Sequence, residues 1–188
     1  MQLQPDELEF AFSPDPIVGW RIWRVERGID RKLSAFDLAA ELREVEREGA
    51  TLPVENLFRY RLRSLTQQAL WPPGIRMEAA CNAGEQAEPH RPGPEPGCEC
   101  GIWAYRSRRF AEETLLDYMY CGRALALGRI ALWGRLIEQE RGWRAQYGYP
   151  LAIEVYGGAA EVAEDLRLSY RVKAEPAYWP VSGGSRAA

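Results

Sequence analysis

Leu125-Ala-Leu-Gly-Arg-Ile-Ala-Leu-Trp-Gly-Arg-Leu-Ile137 is followed by Glu138-Gln-Glu-Arg-Gly142 and then by Trp143-Arg-Ala-Gln-Tyr-Gly-Tyr-Pro-Leu-Ala-Ile-Glu-Val155, and these three pieces decide the fold. In the first, apolar side chains fall on both parities, with Ile130, Leu132 and Leu136 opposing Ala131, Trp133 and Ile137. A strand with one face in water alternates; a strand apolar on both sides is covered on both. The second piece is a polar break with a tight turn at Arg141-Gly142, where glycine permits the reversal. The third returns as an aromatic strand through Tyr147 and Tyr149, is interrupted at Pro150, which has no ladder donor, and resumes at Leu151, Ile153 and Val155 before Gly157-Gly158 ends it.

Outward from this hairpin the other elements are shorter. Ile17 to Val25 is dense in β-branched and aromatic residues and reads as a strand, with Val18, Trp20 and Ile22 on one face and Trp23 and Val25 on the other. Phe58 to Arg63 alternates apolar and basic residues, which puts Phe58, Tyr60 and Leu62 on a core face and Arg59, Arg61 and Arg63 in solvent. Trp71-Pro-Pro-Gly74 reads as a turn, and Ile75 to Cys81 as a short returning strand.

Ser34 as N-cap, with Asp37 three residues on and Leu38, Leu42 and Val45 at helical spacing, predicts a helix over 34–48. Ser107 caps a second helix marked by Phe110, Ala111, Leu115, Tyr118 and Met119. Ala159 to Leu168 reads as a third, short one, although Leu166, Leu168 and Tyr170 also fit strand alternation. The expected fold class is α+β: a curved, mostly antiparallel sheet or small β-barrel with two or three helices and a zinc-stabilised loop. The βαβ alternation of a doubly wound fold is absent from the pattern.

The 188 residues, 46% hydrophobic with a net charge of -3, suit one domain with a real core rather than two. The expected organisation is an extension over 1–16, a single domain over 17–174 and a small, polar tail over 175–188. No basic n-region followed by an apolar stretch opens the chain, and no run of about 18 apolar residues exists. A cytoplasmic protein without membrane contact is the expectation. The negative charge also speaks against general nucleic-acid binding.

The strongest chemical statement is Cys81-x8-His90-x7-Cys98-x-Cys100. Zinc is bound tetrahedrally by thiolate and imidazole, so Cys81, His90, Cys98 and Cys100 complete a closed structural Zn2+ site. The segment from Asn82 to Gly97 carries Pro89, Pro92, Pro94 and Pro96 with few apolar residues to bury, so a metal is the physical means of ordering it. The alternatives are ordinary or redox-sensing thiols beside an exposed histidine, or a catalytic zinc with three protein ligands and Glu88 or Glu99 as the acid. Cys121 reads as a small core residue.

Other chemistry is sparse. With His90 on zinc no histidine remains for nucleophilic catalysis, and no G-x-S-x-G, P-loop or G-x-G-x-x-G is present. Glu138 and Glu140, beside Arg141 and Arg144, read as a solvated hairpin tip. Seven tryptophans supply core, yet Trp71 and Trp103 flanking the metal loop, with Trp133 nearby, could form an aromatic pocket for a cationic or planar ligand.

Trp71-Pro-Pro-Gly74, Cys98-Glu-Cys-Gly-Ile-Trp-Ala-Tyr105 and Ala131 to Ala145 resemble an uncharacterised group of small bacterial proteins. The resemblance covers residues 17 to 155, with 34–48 as an insertion, and implies that metal cluster and hairpin form one unit; no activity is attached to that group.

The function expected from these residues is a non-enzymatic, zinc-stabilised binding module that recognises a protein or small-molecule ligand through Trp71, Trp103, Trp133, Glu138 and Arg144. A zinc-dependent hydrolase with an open coordination position is the alternative. A nucleic-acid contact through Arg59, Arg61 and Arg63 is a third reading.

Overall fold

The computed structural model describes residues 11–29, 58–66, 69–81, 93–119 and 123–179. The helix expected at 34–48 lies outside them. The described elements are β1 (Ala11–Ile29), β2 (Phe58–Ser64), β3 (Met77–Glu78), β4 (Ile102–Tyr105), α1 (Arg108–Tyr118), β5 (Leu125–Gln139), β6 (Gly142–Tyr156), α2 (Ala160–Tyr170) and β7 (Lys173–Ala177).

β5 and β6 form the central hairpin, joined through Glu140 and Arg141. On its other side β5 pairs along nearly its whole length with β1, so it lies between two antiparallel neighbours. This placement explains its double apolar pattern. Leu125 and Leu127 enter one buried cluster with Ile22 and with Ala111 and Leu115 of α1. Ala126, Ile130, Leu132 and Leu136 enter the other, with Trp23, Leu62 and with Val162, Ala163 and Leu166 of α2. Each helix therefore closes one face, and the burial of Leu or Ile side chains contributes about 1.5–3 kcal/mol apiece.

The sheet is mixed and curved. Its β1–β2, β1–β4, β1–β5, β3–β6, β4–β6 and β5–β6 ladders are antiparallel, and β6–β7 is parallel. Two register shifts interrupt the β5–β6 ladder. One, at Arg129/Ile130, leaves Leu151 of β6 unmatched, so Pro150 sits inside a continuous β6 rather than interrupting it. The other falls between Trp133 and Leu136 around Gly134, whose φ of +82° is open to glycine. β4 then borders β6 and also reaches β1, but through the single pair Trp20–Tyr105. Among the described residues the assembly is a curved sheet with this one ladder pair between its sides, short of the laddered closure of a barrel.

Several boundaries differ from expectation. β1 begins at Ala11 and pairs Ala11 to Ser13 with β5, so part of the 1–16 segment belongs to the sheet. Pro14 and Pro16, which lack N–H donors, fall in the register shift between Ser13 and Ile17. β7 crosses the boundary placed at 174, because α2 returns the chain to the free edge of β6. Trp179 of the expected tail then packs its ring 5.5 Å from that of Tyr156. The strand expected from Ile75 to Cys81 is reduced to the two residues of β3. Ser107 is the N-cap of α1, its hydroxyl accepting from the Phe110 N–H at 3.4 Å. Among the described residues no helix is long and apolar enough to cross a membrane.

Candidate metal centre and adjacent cavity

Cys98 and Cys100 lead into β4, and Cys81 follows β3; both strands pair with β6. The two strands meet β6 at adjacent registers, Met77 opposite Gly148 and Ile102 opposite Ala145. The Ala79 N–H donates to Gln146 O at 2.8 Å, which ties the approach to Cys81 onto β6. The C-x-C turn lies between two glycines of positive φ, Gly97 at +76° and Gly101 at +123°. At Gly101 a Cβ would also stand 3.0 Å from both Pro94 Cβ and Arg144 Cβ, so the turn is backed closely.

The three sulfur atoms lie within 4.8 Å of one another. Cys81 Sγ and Cys98 Sγ are 3.8 Å apart, and all three residues are thiols rather than half-cystines. A disulfide would need about 2.05 Å. Four sulfurs placed about 2.3 Å from a central ion have tetrahedral edges of about 3.8 Å. Three close cysteines in this arrangement could hold a metal ion. His90, the fourth expected ligand, lies outside the described residues, as do Glu88 and Cys121.

Arg144 is the main electrostatic neighbour. It is 3% exposed, and its guanidinium donates to the carbonyls of Cys98 and of Cys100, the latter at 3.0 Å. It also lies 5.4 Å from the centre of the Trp103 ring, while its Nε has no partner. Burial lowers its pKa, and the charges of Cys100, Cys98 and Glu99 oppose that. The Cys98 thiol is lowered, first by the Cys100 backbone N–H, while burial pushes Cys100 up to about 11. Cys98 thus ionises more readily than Cys100, and a bound divalent cation would favour the thiolate at both.

Beside the cysteines opens a cavity of about 680 Å³, bounded by the C-x-C turn, by Trp103 and Tyr105 of β4, by Arg21 and Ile22 of β1, and by the β5–β6 tip. Of the residues expected to recognise a ligand, Trp103 lines it, at 44% exposure. Trp71 does not. It is 1% exposed and stacks edge-on against Trp23 at 5.6 Å, its indole N–H donating to Ser64 Oγ, because the turn after it folds the ring into the core. Trp133 is half-buried against Tyr147, Glu138 is exposed and paired with Arg106 at 2.7 Å, and Arg144 is enclosed beneath the cysteine turn instead of facing solvent.

The arginines of β2 are also engaged. Arg59 pairs with Asp165 at 2.8 Å, Arg63 with Glu26 at 2.6 Å, and Arg61 donates to Tyr60 O at 3.1 Å. These contacts turn part of the expected basic row toward α2 and β1. Arg21 went unrecognised in the sequence, where its sole signal is one charge inside the apolar run Trp20-Arg-Ile-Trp23.

No family model, no curated protein and no solved structure matches this chain.

Proposed function

We propose that the protein is a non-enzymatic binding module of the cytoplasm in which Cys81, Cys98 and Cys100, with His90 as the fourth ligand, hold a structural zinc, and in which the cavity beside that zinc receives a ligand. The observation that carries the reading is the convergence of three thiols beside the cavity, their sulfurs within 4.8 Å of one another and the Cys81–Cys98 pair at the 3.8 Å tetrahedral edge. Zinc suits a set of three thiolates and one imidazole. Its binding free energy becomes folding free energy for the proline-rich loop between Cys81 and Cys98, which has little apolar surface to bury. On this reading the zinc draws β3 and β4 together at the edge of β6, gives the small sheet the character of a closing barrel, and carries over to the small bacterial proteins that the chain resembles.

Metal analysis tests it. Wild-type protein is expected to contain one zinc per chain and to melt at lower temperature with chelator, and Cys98→Ser to lose the metal. Unchanged zinc in Cys98→Ser would break the ligand set. A zinc-dependent hydrolase is the second reading, favoured by the fact that Cys81, Cys98 and Cys100 all line the cavity. X-ray absorption separates the two: three sulfurs and one nitrogen mean a closed site, three sulfurs and a water oxygen an open one.

A further inference from the structure

Arg21 is a half-buried cation whose Nε is enclosed and whose counter-charge is missing among the described residues. Its guanidinium lies 5.0 Å from the Trp71 ring centre, NH2 donates to Ser64 Oγ at 3.0 Å, NH1 donates to Trp103 O, and buried Nε has no partner. None of these partners is an anion. Elsewhere Arg59, Arg63, Arg106 and Arg108 each meet a carboxylate. Burial pulls the Arg21 pKa down to about 10. Two of its five donors are accounted for by the two oxygens above.

The same arginine lines the cavity of about 680 Å³, a size suited to a small organic molecule. Around it the walls are apolar: Ile22, Leu65, Ala104 and the rings of Trp103 and Tyr105. Glu99 is the one carboxylate among the described lining residues. The second lining cation, Arg141, is committed to Glu113 at 2.9 Å and to the Phe110 ring at 4.6 Å. One uncompensated guanidinium in apolar surroundings matches one carboxylate group on a flat, apolar body. A phosphate dianion would ask for more positive charge than the described lining residues offer.

We propose that this cavity binds a small organic carboxylate, its carboxylate group on the Arg21 guanidinium and its apolar body against Trp103 and Tyr105. The proposal rests on the cavity being the ligand site, as argued above, and none of its named contacts is a metal ligand. Calorimetric titration of the purified protein with benzoate, benzamide and benzylammonium tests it. Benzoate is expected to bind at one site. Neutral benzamide, nearly the same shape, should bind on the order of tenfold to a hundredfold more weakly, as for loss of a charged hydrogen-bonded pair, and benzylammonium should give no heat. Arg21→Gln should impose the same loss on benzoate.

Equal affinity for benzoate and benzamide, or no benzoate binding at about 10 mM, overturns the proposal. So does benzoate binding that survives Arg21→Gln but vanishes with chelator, which would place the anion on the metal. If Arg21→Gln does not fold, the three-ligand series on wild type still decides, and Trp103→Ala, at a half-open position, should weaken benzoate. Zinc is assayed in the same samples. Charge discrimination without zinc removes the structural-zinc reading and leaves this one standing; zinc without benzoate binding removes this one alone.

Discussion

Replacing Arg144 by methionine removes a charge and its donors while keeping an unbranched stem in a site that is 3% exposed. The lost contacts are hydrogen bonds from a charged donor to the carbonyls of Cys98 and Cys100, of the kind that contribute about 1.5–3 kcal/mol each. Against them stands the several kcal/mol that an uncompensated buried guanidinium costs. In metal-free protein at neutral pH these largely offset each other, since burial keeps the Cys100 thiol up at about 11 and therefore uncharged. In the zinc form three thiolates and one divalent ion sum to minus one. Opposite unit charges about 4 Å apart then attract by about 4 kcal/mol at an effective dielectric of 20, in the metal-bound state alone. Partial exposure of Cys98 reduces that figure. Arg144→Met is thus expected to shift the metal-free guanidinium-chloride midpoint little and to weaken zinc about tenfold to a hundredfold, the range for groups that support metal ligands. Competition with a chromophoric chelator measures it. Zinc affinity within about threefold of wild type would show that the guanidinium does not stabilise the charged cluster.

Two further expectations concern the scaffold. A Cβ at Gly142 would stand 1.9 Å from Ala104 O, so Gly142→Ala must separate β4 from the hairpin tip; a loss near 3 kcal/mol, the upper end for overpacking, is expected in urea unfolding, and a wild-type midpoint would contradict the close approach. At Glu154 burial raises the pKa, but hydrogen bonds from Arg108 at 2.6 and 2.7 Å and from Tyr156 at 2.7 Å outweigh it and leave the carboxyl lowered from 4.5. A depressed carboxyl adds stability above its ordinary value and loses it as pH falls through the folded one. Unfolding midpoints between about pH 3 and 6 should therefore fall less steeply with acid in Glu154→Gln than in wild type, and equal slopes would remove the pair from the acid response.

What the sequence by itself determined is local. The double apolar parity of Leu125 to Ile137 announced a strand covered on both faces, because side-chain alternation leaves no other place for those groups. Ser107 marked the start of α1 through its hydroxyl, a contact spanning three residues. The clustering of Cys81, Cys98 and Cys100 named three residues that the fold brings close enough to hold a metal ion, since ligand chemistry is written in residue type. Tertiary structure alone decided how the charges and aromatics are used. Arg21 meets Ser64 across 43 positions and Arg144 meets Cys100 across 44, so neither partner is visible in a local pattern. Trp71 and Trp103 look alike in sequence, yet one is sealed in the core and the other faces the cavity. β7 is a strand because α2 delivers it to the open edge of β6, and an edge supplies backbone partners to residues of modest strand propensity. Burial and electrostatic environment are properties of what folds over a residue, and that is set by pairings far along the chain.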